Sequence, residues 1–127
     1  MQKLIESLKK QLEIYEKLLE KTRIEKEAFN NKDEALFMSV LTERLSLMNE
    51  VSALEGEIAP LREEWINNRG DQPDDINHEI IGIVTEIKKK MDDILELESK
   101  VYEEKMKGQQ EVRAVPKAKA VNLYKKI

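Results

Sequence analysis

The sequence predicts an all-α protein, an antiparallel helical bundle or coiled-coil hairpin of three long helices with a short C-terminal tail or helix. Two observations support this. Three stretches repeat an apolar residue at alternating spacings of three and four, which forms a continuous stripe on a helix. Segments rich in Asn, Asp, Gly and Pro separate these stretches, as is typical of turns. The three series are Ile5, Leu8, Leu12, Tyr15, Leu19, Thr22, Lys26 and Phe29; Phe37, Val40, Arg44, Leu47, Val51, Leu54, Ile58, Leu61 and Trp65; and Ile80, Val84, Ile87, Met91, Ile94, Glu98, Val101 and Lys105.

Composition favours one thin, elongated bundle. A chain of 127 residues is expected to form a single domain, and 38% charged with only 5% aromatic residues suits helices with solvated outer faces. We assign residues 1–108 to a helical bundle domain and 109–127 to a basic C-terminal tail. With no cysteine, the chain has no disulfide or thiolate metal site. No apolar run is long enough for a membrane span or a secretory signal, so a soluble cytoplasmic protein is expected.

The first turn is expected at Asn30–Asp33. Helix 1 should cover about residues 2–29, and asparagine tolerates the left-handed conformation that ends a helix. Asn31 or Asp33 is expected to cap helix 2. So short a link predicts that helices 1 and 2 are antiparallel neighbours.

Helix 2 contains two unusual residues. Arg44 is the one charged residue in its stripe. Its side chain either snorkels and pairs with a glutamate across the interface between the helices, or it selects the helix register or a binding partner. Pro60 removes a backbone donor and clashes with the carbonyl four residues earlier. Because the stripe continues to Trp65, we expect a kink near Gly56–Pro60 rather than a helix end.

Residues 67–75 lack apolar side chains and predict a loop. Helix 3 should begin with Asp74 or Asp75 as its cap and run to about Lys107, where Gly108 ends it. Beyond it, Pro116 is placed to open a short final helix.

No pattern in the chain points to catalysis or to a cofactor. His78 is the only histidine, and it is expected to be an exposed polar residue in the first turn of helix 3. A carboxylate di-metal bundle needs Glu-x-x-His pairs, which are absent, and the four glycines form no phosphate-binding loop. We therefore expect a protein that is not an enzyme and binds no metal.

Charge is distributed unevenly. Residues 109–127 contain one acidic and five basic residues, whereas the whole chain has a net charge of −4. An acidic body with a basic tail does not resemble a nucleic-acid-binding protein, which would have a basic stripe on its folded part. The tail is expected either to fold back on the body or to reach an acidic partner.

Three aromatic residues are candidates for binding. Trp65 ends a stripe, where it is either a core residue or a partner anchor, and Tyr102 flanks the helix 3 stripe. Tyr124 lies beside Lys125 and Lys126, without a long apolar segment around it, and is either a fold-back anchor or a docking residue. Val121 and Ile127 share its spacing of three.

Together these features resemble the FlgN/FliT-type flagellar export chaperones. The matching segments are Tyr15-Glu16-Lys17-Leu18-Leu19, then Asp33-Glu34-Ala35-Leu36, then Thr42-Glu43-Arg44-Leu45 leading to Ala53-Leu54-Glu55, and finally the basic tail around Tyr124. The resemblance covers nearly the whole chain with degenerate motifs. Pro60 and the loop at 67–75 depart from the pattern.

The resemblance implies a cytoplasmic, non-enzymatic chaperone. It would hold an amphipathic segment of a late flagellar substrate, either a hook–filament junction protein or the filament cap, and deliver it to the gate of the type III export apparatus. Tyr124 matches the aromatic residue with which the family docks on the gate, together with Val121, Lys125, Lys126 and Ile127. Trp65, Val101 and Tyr102 are the expected cargo-groove residues. The alternative is a structural coiled-coil scaffold or oligomerisation protein. The sequence leaves open whether the chain forms a homodimer.

Overall fold

The fold is an all-α bundle of three long helices. The computed structural model describes the backbone of residues 1–108 and the side chains of residues 1–100. Helix α1 spans Gln2–Asn30, α2 spans Glu34–Asn67 and α3 spans Asp74–Gly108, with a single 3₁₀ turn at Arg69–Asp71. Within residues 1–108 there is no β-strand. The predicted fold class and the positions of both helix breaks are therefore confirmed.

Pairs of side chains show how the helices run. Lys21 of α1 forms an ion pair with Glu43 of α2, and further back along α1 Gln11 donates a hydrogen bond to Glu55 at 3.2 Å. As the residue number falls in α1 it rises in α2, so these helices are antiparallel. Near the start of α3, Glu79 lies 3.4 Å from Lys9 of α1, and further along both helices Glu25 and Glu98 meet the same arginine, Arg44, so α1 and α3 run side by side in the same direction.

Helix α1 is the central helix, because it packs against both α2 and α3. Its buried face is therefore wider than one stripe. Gln11 and Glu25 are buried, whereas Leu12 and Lys26, the stripe positions next to them, are only half-buried. The apolar core that the three helices share contains Leu4, Ile5, Leu8, Tyr15, Leu18, Leu19, Met48, Val51, Ile58, Trp65, Ile80, Ile87 and Ile94.

The turn between α1 and α2 differs from expectation in one residue. The left-handed residue is Lys32, with φ of 58°, and neither asparagine adopts that conformation. The Lys32 amide donates to the Phe29 carbonyl and the Asp33 amide to the Ala28 carbonyl, the two bonds of a Schellman motif. This motif requires its left-handed residue at position 32, one residue after Asn31. Of the two predicted caps, Asn31 and Asp33, the structure uses Asp33, which accepts from the Leu36 amide at 3.1 Å.

Pro60 does not end α2. The helix continues from Glu34 to Asn67 with Pro60 inside it. A continuous apolar face holds this segment in place, because Ile58 and Trp65, on either side of the proline, are both in the core. The expectation that the helix continues is confirmed, and the kink stays a prediction.

The link between α2 and α3 is shorter than the predicted loop, and it is partly ordered as the 3₁₀ turn. Asp74 and Asp75 lie inside the first turn of α3 rather than at its cap, so that prediction is corrected. Two carboxylates in the first turn stabilise the positive end of the helix dipole. His78 is exposed, as expected, and directly follows this turn. Helix α3 reaches Gly108, where the described backbone ends, so the predicted helix end is not tested.

Three charged side chains meet in the interior, one from each helix. We call Glu25, Arg44 and Glu98 the buried charge cluster; their exposed fractions are 0%, 3% and 2%. Arg44 forms an ion pair with Glu25, and its Nη1 atom lies 2.8 Å from Oε2 of Glu98. The predicted pairing of Arg44 with a glutamate across the interface between the helices is confirmed. The predicted snorkelling is wrong, because α1 and α3 both cover the guanidinium and leave it no route to solvent.

The buried charge cluster contains one more carboxyl group than cations. Burial is the largest influence on Glu98 and raises its pKa; the Arg44 charge lowers it and the Glu25 charge raises it again. The resulting pKa of Glu98 is about 7. One proton is therefore held in the cluster below neutral pH.

None of the described helices has the length and apolar composition needed to cross a membrane.

Candidate binding groove

A half-open groove of about 340 Å³ lies between α2 and α3. Helix α1 forms its floor, because α1 packs between the other two helices and they stand apart over it. The floor is contributed by Leu8, Gln11 and Tyr15; the walls are Glu55 and Arg62 from α2, and Val84, Ile87, Lys88 and Met91 from α3.

The α3 wall follows from helical spacing. Val84, Lys88 and Met91 are separated by four and three residues, so they lie in a row on one side of the helix. Ile87 is turned towards the core and is buried. The groove therefore presents apolar side chains with one lysine in the middle of the row.

The opposite wall carries a network centred on Glu55. Arg62 donates to both carboxylate oxygens, through Nη1 at 2.8 Å and through Nη2 at 3.1 Å. Gln11, buried in the floor, donates a third hydrogen bond to Glu55 at 3.2 Å. This two-pronged arginine–carboxylate contact fixes both side chains in one geometry.

The network determines the charge states in the groove. Partial burial acts to raise the pKa of Glu55, but hydrogen bonds from Arg62 and Gln11 and the charge of Arg62 outweigh it, so the pKa lies below its usual range. Burial, and after it the negative charge of Glu55, raise the pKa of the Tyr15 hydroxyl. At neutral pH Glu55 is ionised and Tyr15 is neutral.

Beyond one end of the groove, contacts around the link between α2 and α3 join the two helices. The Trp65 indole N–H donates to Oδ1 of Asn77 at 2.8 Å, and the Asn77 amide donates to the Arg69 carbonyl at 3.0 Å. The Arg69 guanidinium lies 5.0 Å from the centre of the Trp65 ring. The two helices are thus tied together where the chain reverses.

The structure places Trp65 in the core, with 7% of its surface exposed, and not among the residues that line the groove. This agrees with the core alternative for Trp65. The side chains of Val101 and Tyr102 lie outside the described residues, as does the segment with Val121, Tyr124, Lys125, Lys126 and Ile127. The cargo-groove and gate-docking assignments therefore stay predictions.

Sequence reasoning missed the polar residues of the groove. Gln11, Glu55 and Arg62 stand beside the stripes rather than in them. Glu55 and Arg62 are seven residues apart, two helical turns, which places opposite charges on the same side of α2. This seven-residue spacing is the feature of the sequence from which the Glu55–Arg62 pair could have been predicted.

Among the described residues, no group of three or more His, Cys, Asp or Glu is arranged to hold a metal ion. Comparisons with models of protein families, with curated proteins and with solved structures find no match to this chain.

Proposed function

We propose that this protein is a chaperone that holds an amphipathic helix of another protein in the groove between α2 and α3. The supporting observation is the groove itself, open to solvent and bounded by apolar residues of α1 and α3 and by the Glu55–Arg62 pair of α2. Apolar surface that stays accessible on a folded protein is typical of a binding site. An amphipathic helix is the element whose apolar face fits such a groove.

The class of cargo comes from the sequence. Its resemblance to FlgN/FliT-type chaperones supports a cytoplasmic, non-enzymatic role in flagellar type III export. The cargo would then be a hook–filament junction protein or the filament cap. Such substrates carry terminal helices whose apolar faces self-associate when unprotected, and shielding in a groove prevents this.

The groove assignment is tested by placing a charge in its wall. Val84→Asp is expected to weaken binding of late export substrates at least about tenfold, or about 1.4 kcal/mol, because docking would desolvate the carboxylate. Calorimetric titration with the terminal segments of the junction and cap proteins measures this. Thr85→Asp is the matched control, since Thr85 is exposed and is not a groove residue.

Circular dichroism establishes that both variants are folded at the assay temperature. Unchanged affinity in a folded Val84→Asp variant would rule out this groove. If the unmodified protein binds none of the late substrates, the export role fails.

Delivery to the export gate is assigned to the tail. Tyr124→Ala is expected to weaken binding of the full chain to the cytoplasmic part of the gate by about 1–3 kcal/mol, as for an aromatic anchor. Added salt should weaken binding as well, because Lys125 and Lys126 would pair with acidic residues. A Tyr124→Ala variant with unchanged gate affinity removes this role from Tyr124.

A scaffold role remains the second candidate, and exposed apolar residues on α2 favour it. Met38 and Leu45, with exposed fractions of 58% and 44%, lie seven residues apart on one side of the helix. Sedimentation equilibrium separates the two functions. A scaffold is an oligomer at all accessible concentrations, whereas the chaperone forms a stoichiometric complex with its cargo.

A further inference from the structure

The groove is locally basic in a body that is otherwise acidic. Its lining contains one carboxylate, Glu55, and two cations, Arg62 and Lys88. The chain as a whole has a net charge of −4, and its C-terminal 19 residues are basic, so the bundle itself carries the excess of acid. The groove charge is therefore opposite in sign to that of its surroundings.

The two cations differ in what they already bind. Arg62 uses both of its terminal nitrogen atoms on Glu55. Glu55 in turn accepts from Gln11 as well, so its oxygens are occupied. Among the residues whose side chains the structure describes, no carboxylate lies within ion-pair distance of Lys88. Lys88 thus brings up to three uncommitted donors to the groove wall.

A ligand that covers Lys88 must replace the water around its ammonium group. A purely apolar helix face would leave this cation buried without a partner, which is unfavourable. A basic side chain at that place would face both Lys88 and Arg62. A carboxylate satisfies the ammonium, whereas the charge of Arg62 on the opposite wall is already balanced by Glu55.

We propose that the groove selects an amphipathic helix that carries one carboxylate, Asp or Glu, within its apolar face, and that this carboxylate pairs with Lys88. The proposal rests on the proposed function, because it names the chemistry of the helix bound in the same groove.

The spacing of the groove residues on α3 defines the position of the carboxylate along the bound helix. Val84 lies one turn before Lys88 and Met91 one turn after it. The bound helix therefore has an apolar residue about one turn on each side of its acidic residue. The pattern is apolar, acidic, apolar at intervals of three or four.

The test uses three synthetic 20-residue helical peptides that share one apolar stripe and differ only at the central stripe position, which is Glu, Gln or Lys. Fluorescence anisotropy with the full chain measures their dissociation constants. We expect the Glu peptide to bind at least fivefold more tightly than the Gln peptide, and the Lys peptide to bind most weakly. The advantage of Glu should shrink in 0.5 M salt, where exposed charges are screened.

A charge reversal in the protein tests the pairing itself. Lys88→Glu should invert the order, so that the Lys peptide binds more tightly than the Glu peptide. Lys89→Glu introduces the same charge on the neighbouring exposed residue, which does not line the groove, and should preserve the original order. Equal affinities for the three peptides, no binding of any peptide, or the same effect from both reversals would overturn the proposal.

These outcomes are distinct from failure of the proposed function. If late export substrates bind and Val84→Asp weakens them, but the three peptides are not discriminated, the groove is the cargo site and the selection for a carboxylate is wrong. If Val84→Asp leaves substrate binding unchanged as well, both proposals fail.

Discussion

Arg44→Leu is expected to lower the free energy of unfolding by about 3–5 kcal/mol at pH 8, because it removes a buried cation that pairs with both Glu25 and Glu98. The attraction of the guanidinium for the two carboxylates, which helps to offset their desolvation, is then lost. Urea denaturation followed by circular dichroism measures the loss. Lowering the pH to 5 should recover part of it, since Glu98, whose pKa is raised by burial, is then protonated and neutral.

Arg62→Leu is the matched control for this variant. It also removes an arginine from an ion pair, but the Arg62 and Glu55 side chains are 39% and 27% exposed. Such a pair contributes about 0–1 kcal/mol, so a much smaller loss is expected. Replacing all three members of the buried charge cluster by leucine should restore most of the stability, because none of these three positions then holds a buried charge. A loss below about 1 kcal/mol in Arg44→Leu would contradict this account of the cluster.

The free energy of unfolding is expected to fall as the pH rises from about 5 to 8. The pKa of Glu98 is about 7 in the folded protein and near its ordinary value of 4.5 in the unfolded chain. Between these two pKa values the folded state holds the proton and the unfolded state does not, so raising the pH favours unfolding. One pKa unit corresponds to about 1.4 kcal/mol, and the expected decrease is roughly 2–3 kcal/mol.

Glu98→Gln should flatten this dependence, since an amide does not titrate, and should be more stable than the parent protein at pH 8. Glu96→Gln is the control: Glu96 is exposed on the same helix, where it pairs with Lys100. The lowered pKa of Glu55 affects stability in the opposite direction, with a contribution that is lost only as the pH falls below the usual carboxyl range. A Glu98→Gln variant that keeps the slope of the parent protein would exclude Glu98 as its source.

The helices were predictable because their formation depends on spacing within one segment. The 3-4 repeat and the short links located all three helices, and Asp33, one of the two predicted caps, is the cap of α2. The left-handed residue was not predictable in the same way. The Schellman hydrogen bonds decide which residue adopts that conformation, and they placed a lysine there rather than the more tolerant asparagine.

Contacts between helices were harder to predict, since they depend on how far each helix is rotated towards its neighbours. Arg44 was recognised as an exception in its stripe, and a glutamate partner was expected. That glutamates from two helices reach it follows from the central position of α1, which brings Glu25 and Glu98 to the same arginine. Gln11 became a floor residue for the same reason: a helix between two others is buried on a wider face than a single stripe.

The contact between Trp65 and Asn77 and the buried charge cluster have a joint consequence for recognition. They connect α2 and α3 at two distant points, and the groove residues lie between those points in both helices. The spacing of the walls is therefore established during folding, before a ligand arrives. Binding to such a preorganised site requires little rearrangement of the protein. The ordering of the incoming helix is therefore the main entropic cost of association.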